Sequence, residues 1–150
     1  MRLFKTRTQL DEAEFPQLAH AIQTARSTHQ FLLTAWVFLP DHWHAILYPR
    51  HPLTISRVIE VIKVRSTSTI NRKRRESGQL WQSRFFDHAI RTVERYHHFI
   101  DYIHLNAVRR GLVQKPEEWK WCSFPDYSGS SHPLLSIDRV NLPSDPKARL

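Results

Sequence analysis

The sequence predicts an α+β sandwich with helices covering one face of an antiparallel sheet, and three observations lead there. Segments of helical periodicity and runs of β-formers follow one another as helix, strand, strand, helix, strand, helix. The first two strand segments are separated only by Leu39-Pro40-Asp41, the spacing of a hairpin. Apolar residues at 41% of a 150-residue chain suffice for a single hydrophobic core.

Each element has its own signature. Residues 11–30 carry Phe15, Leu18, Ala19, Ile22 and Ala25 at spacings of three and four, with Pro16 suited to a first turn. Residues 31–38 and 42–48 are rich in aromatic and aliphatic β-formers. Residues 54–75 repeat apolar positions at Ile55, Val58, Ile59 and Ile62, then become basic through Arg72, Lys73, Arg74 and Arg75. Gly78 breaks that helix, and residues 80–90 resemble another strand. Thr92 is placed to cap a third helix, which Gly111 would end. Pro116 opens a short element containing Trp119 and Trp121. We therefore expect one domain over residues 1–127 and a loosely ordered tail over 128–150, where Ser, Pro and Gly recur without periodicity.

Composition narrows the function classes. Lys and Arg number 22 against 14 Asp and Glu, a formal charge of +8, which favours a polyanionic partner such as nucleic acid. Charge alone does not establish one. The single cysteine, Cys122, excludes an intramolecular disulfide and a cysteine-rich zinc site, and reads as a buried filler in a reducing cytoplasm. The longest apolar run, 31–40, is about half a membrane span, and no signal peptide is visible, so no membrane partner is expected.

The sharpest chemical signal is Pro40-Asp41-His42-Trp43-His44, in which two histidines lie two apart in a strand segment. Side chains at i and i+2 share a face, so both imidazoles can converge on one divalent cation while Trp43 points into the core. Ten histidines produce such pairs by chance, and the spacing alone does not establish a metal site. On the third helix Tyr102 and Asn106 are four apart and share a face, away from the apolar stripe of Tyr96, Phe99, Ile100, Ile103 and Ala107. Taken singly, Tyr102 would pass for a boundary aromatic.

Three blocks occur in order: Leu39-Pro40-Asp41-His42-Trp43-His44, Leu80-Trp81-Gln82-Ser83-Arg84-Phe85, and 102–113 from Tyr102 through Asn106 and Arg109-Arg110-Gly111. Together, over about residues 31–127, the chain resembles the REP-associated tyrosine transposases, which belong to the single-strand DNA transposases with a His-hydrophobic-His motif. The resemblance implies a ferredoxin-like, RRM-like sandwich. It implies Mg²⁺ or Mn²⁺ held by His42, His44 and Asn106, with Tyr102 attacking a phosphodiester to leave a 5′-phosphotyrosine. The expected partner is single-stranded or hairpin DNA, gripped by Arg72, Lys73, Arg74, Arg75, Arg109 and Arg110, with Lys63 and Arg65 as further candidates. The expected setting is the cytoplasm, in association with the nucleoid, and the chain would act as monomer or homodimer. Trp81 and Trp119 are candidates for stacking on bases, although core positions suit them better, and His88 and His98 are secondary ligand candidates.

Two departures from the family stand out. Relatives usually begin with a β-strand, whereas Met1 is followed almost at once by Leu3-Phe4-Lys5-Thr6, so the opening strand is expected to be missing and the histidine strand to lose a neighbour. A late-assigned start, a decayed fragment or a variant edge would each explain it. Ala107 replaces a common Pro, a harmless change in a helix. Competing readings are a hairpin-binding protein that does not cleave, a truncated remnant, and a metal-dependent nuclease or replication-initiator relative.

Overall fold

β1 (Leu32–Phe38) and β2 (Trp43–Tyr48) form the expected antiparallel hairpin, with Val37 opposite His44 and Phe38 opposite Trp43 in a computed structural model that describes residues 1–129 and 134–142. The turn closes through Leu39 N–H donating to the His42 carbonyl at 2.8 Å. β1 is buried on both faces from Leu33 onward, which its continuous apolar run requires. The hairpin is the only regular sheet among the described residues, and short bridges widen it on both sides.

The opening strand is absent as expected, yet one extension supplies the neighbour that the histidine segment was expected to lose. Arg2 bridges to His42 and Leu3 to Trp81, both antiparallel. Leu3 N–H donates to Asp41 O at 2.8 Å, Trp43 N–H to Met1 O at 2.8 Å and Phe4 N–H to Leu80 O at 2.9 Å. Residues 1–4 therefore lie between the histidine segment and Trp81. They are too few to form a strand but enough to pair the backbone groups beside His42. The other extension is Cys122, bridged to Val37, with Phe38 N–H on Trp121 O at 2.9 Å.

The helices follow their apolar stripes. α1 (Phe15–His29) buries Phe15, Leu18, Ala19, Ile22 and Ala25, and begins four residues later than the pattern predicts because 11–14 form a turn with Pro16 just inside the helix. α2 (Ile55–Arg74) is capped by the Thr54 hydroxyl accepting from Arg57 N–H at 3.2 Å, and it packs against α1. The predicted strand 80–90 is absent. Only Trp81 pairs, its side chain fixed inside by an indole N–H donating to Ser66 Oγ at 2.8 Å, and the β-formers after it find no partner strand. The single helix expected to run to Gly111 is instead α3 (Val93–His104), a break at Leu105, and α4 (Asn106–Arg109), with Gly111 at positive φ just beyond. A 3₁₀ turn at Pro116–Glu118 and α5 (Phe124–Ser128) complete the order.

Part of the segment expected as a loose tail is docked. The Trp36 indole donates to Leu135 O at 2.8 Å, Leu33 N–H donates to Asp138 Oδ2 at 2.9 Å, and Arg26 donates to Ser136 O at 2.6 Å. Residues 130–133 and 143–150 of that expected tail lie outside the described residues.

Candidate active site

The strand pleat puts His42 and His44 on one face and buries Trp43 on the other, as the alternation requires. The imidazole centroids are 4.9 Å apart with the rings at 90°. α3 packs on both strands and brings Tyr102 edge-on to His44, centroid to centroid 5.5 Å at 80°. Asn106, buried, opens α4 one turn beyond Tyr102, and the Arg109 guanidinium lies 5.2 Å from the centre of the tyrosine ring. Two elements more than fifty residues apart in sequence thus meet at the predicted point.

Asp41, beside the histidines in sequence, organises the site in a way that spacing did not reveal. Its Oδ1 is 2.6 Å from His42 Nδ1 and accepts from Arg110 at 3.1 Å, while Oδ2 accepts from Arg2 at 3.2 Å. Burial alone would raise the Asp41 pKa, but the hydrogen bond to His42 and the charges of His42, Arg110 and Arg2 bring it below the ordinary carboxylate value. A carboxylate accepts only, so a neutral His42 donates from Nδ1 and keeps its Nε2 lone pair.

Both histidines are held neutral. Burial lowers the His42 pKa, partly opposed by Asp41, and burial, followed by the repulsion a protonated His42 would exert, brings His44 down to about 4. Neutral imidazoles are what a cation ligates. Among the described residues no cluster of three or more His, Cys, Asp and Glu side chains is gathered at metal-binding range. A cation here would therefore find the two imidazoles and no cluster of further charged ligands; Asn106, the third ligand that the resemblance implies, is buried at the start of α4. Two imidazole nitrogens with oxygens completing the shell make a mixed donor set, open to a divalent ion that takes both and also engages phosphate.

The other candidates separate clearly. Arg110 and Arg109 are at the site. Arg74 is drawn into the fold: its guanidinium pairs with buried Glu14 at 2.5 and 2.6 Å and donates to Thr8 O and Gln9 O, while Lys73 donates to Ala13 O at 3.2 Å. Arg72 and Arg75 are exposed at the end of α2. Trp81 and Trp119 are core residues whose indole N–H groups are bound inside, the latter to Phe38 O at 2.9 Å, so neither can stack on a base. His88 stacks on Phe99 at 6.2 Å and His98 meets the same ring at 5.9 Å, whereas the ring neighbours of the histidine pair are each other and Tyr102. Cys122 is buried, and burial pushes its thiol up to about 11, which suits a filler.

Residues 2–106 match the family model described as "Transposase IS200 like". The chain belongs to that family. It is similar to the REP-associated tyrosine transposase of Escherichia coli (strain K12), 34% identical over 125 residues that span 83% of this chain and 73% of the relative. A putative REP-associated tyrosine transposase of Haemophilus influenzae (strain ATCC 51907 / DSM 11121 / KW20 / Rd) is 31% identical over 107 residues, 64% of this chain and 60% of that one. Among solved structures, a REP-associated tyrosine transposase bound to a REP hairpin superposes with a TM-score of 0.75 at 31% identity, covering 95% of this chain and 85% of that chain. The resemblance read from the three sequence blocks holds for family and fold. The chain is a tyrosine transposase, a DNA strand transferase of a metal-dependent family. No helix among the described residues is long and apolar enough to cross a membrane.

Proposed function

We propose that this transposase cleaves and rejoins single-stranded DNA at the foot of hairpins of the REP type, with Tyr102 as nucleophile. The observation that carries the assignment is the meeting of Tyr102 with His44 at 5.5 Å, beside a histidine pair kept neutral by burial. The hairpin substrate is supported by the solved relative, whose bound DNA is a REP hairpin.

The chemistry is transesterification. The Tyr102 oxygen forms a bond to phosphorus as the bond from phosphorus to the 3′ oxygen breaks; the phenol proton leaves to water and the 3′ oxygen gains one. The product is a 5′-phosphotyrosine and a free 3′-hydroxyl, and the reverse attack by another 3′-hydroxyl reseals the strand without a nucleotide cofactor. His42, His44 and Asn106 would hold Mg²⁺ or Mn²⁺, which when bound supplies Lewis-acid stabilisation of the phosphate charge. Within the chain, Asp41 orients His42, and Arg109 restrains the Tyr102 ring through a cation–π contact. Arg109, Arg110 and Arg2 are the cations best placed for the phosphates flanking the cut, with Arg72 and Arg75 available farther along the strand. Such a protein works where chromosomal DNA is, in the cytoplasm with the nucleoid.

Incubation of a labelled hairpin carrying a single-stranded flank with the protein and Mn²⁺ is expected to yield an adduct that survives SDS. Tyr102→Phe should yield none. An adduct of equal yield from that variant would remove Tyr102 from the mechanism.

A further inference from the structure

Residues 82–92 run without regular structure between the edge that carries Arg2 and the start of α3, yet the segment is tied down on both sides. Gln82 N–H donates to Arg2 O at 2.9 Å, and Lys63 Nζ donates to Gln82 O at 2.7 Å and Ser83 O at 2.8 Å. Lys63 also lies 5.8 Å from the centre of the Phe85 ring. At the far side, His88 stacks on Phe99, which sits one turn before Tyr102 on α3. Between the tethers Phe86 stands 99% exposed, the most exposed large apolar side chain among the described residues.

Scattered surface apolar residues are ordinary and need no explanation. Phe86 differs in its setting. Its segment starts at Gln82, whose N–H donates to the backbone of the same Arg2 whose side chain binds Asp41, so the anchored end of the segment, four residues before the ring, adjoins the candidate active site. Arg84 on the same segment, and Arg91 and Arg95 at the start of α3, are exposed; Asp87 and Glu94 offset part of that charge, and Lys63 leaves the excess positive. An exposed phenyl face among cations is the arrangement that binds unpaired nucleotides, the ring stacking on a base and the cations meeting the backbone. The indoles that composition offered for this task are buried.

We infer that Phe86 is a stacking platform for an unpaired base of the strand entering the site, with Arg84 on the adjoining phosphate. The inference rests on the single-stranded DNA reading above and deepens it by saying where one base is held. Stacking is sequence-tolerant, so the platform contributes affinity and positioning without selecting a base.

The test compares a hairpin with a single-stranded flank and the same hairpin made blunt, binding each to the full chain by fluorescence anisotropy. Phe86→Ala is expected to weaken the flanked hairpin by about tenfold or more and to leave the blunt one within about twofold. Phe86→Trp should keep the affinity, and its added emission should be quenched by the flanked hairpin but not by the blunt one. Wild type that binds and forms the Tyr102 adduct while Phe86→Ala matches it on the flanked hairpin overturns the platform alone. Equal loss on both DNAs, or a Phe86→Ala shift from dimer to monomer in sedimentation, also overturns it in favour of a general or self-association role. Wild type that binds neither DNA overturns the platform together with the reading beneath it.

Discussion

The two arginine clusters look alike in sequence and do opposite things in the fold. Arg72–Arg75 closes α2 and Arg109–Arg110 closes α4, both placed to complement a helix C-terminus. In the first, Arg74 reaches inward to Glu14, which is 3% exposed, and to the backbone of residues 8 and 9; with Lys73 on Ala13 it fastens the turn before α1 to the end of α2. In the second, Arg109 covers Tyr102 and Arg110 binds the carboxylate that orients His42. A basic run therefore reports available charge, and the packing around it decides whether that charge fastens helices together, as at Arg74 and Glu14, or gathers beside the histidine pair, as at Arg110 and Asp41.

The contrast can be broken most forcefully at Arg74. Arg74→Ala strands a buried carboxylate and should destabilise the fold by roughly 3 kcal/mol, read by urea denaturation. Arg109→Ala should stay within about 0.5 kcal/mol of wild type in the same assay. If the two variants melt alike, the division of labour is wrong.

At the other cluster, Asp41→Ala removes the acceptor from His42 Nδ1. It should weaken Mn²⁺ binding by about 10- to 100-fold, measured from free-ion EPR, and release the fixed tautomer in ¹⁵N spectra of the metal-free protein. An unchanged tautomer would show that Asp41 does not set it.

Acid sharpens the comparison further. Burial alone would raise the Glu14 pKa, but hydrogen bonding and charge from Arg74 bring it net below its ordinary value. A depressed carboxylate contributes stability above its unfolded pKa, lost as pH falls through the folded one. Wild-type stability should therefore decline below about pH 4.5, and Arg74→Ala should show a shallower decline over that window in pH-resolved melts.

The smallest effect is expected on salt dependence. Arg109→Ala should reduce the slope of log affinity for single-stranded DNA against log salt by about 0.7, one phosphate contact, whereas Arg74→Gln should leave the slope unchanged wherever the protein stays folded.

What the sequence made legible follows the range of each signal. The pleat period placed His42 and His44 together because it acts within a few residues, whereas the helical period that grouped Tyr102 with Asn106 ran across the break at Leu105 and left them on α3 and α4. The partnership of Asp41 with Arg2 and Arg110 was not legible, since it spans 39 and 69 residues and leaves no periodic trace. Residues 1–4 make an edge with too few positions to alternate, and 80–90 has the composition of a strand without a neighbour to pair with. The break at Leu105 and the docking of Leu135 and Asp138 on β1 likewise depend on distant packing.

The aromatic meeting of α3 with β2 happens inside one polypeptide. On the proposed assignment each molecule would carry both halves of its own cutting apparatus, and mixing a chain lacking its phenol with a chain lacking its imidazoles should restore nothing. A pair of such molecules could sever two strands independently, with any dimer serving to hold the ends near one another rather than to complete a blade.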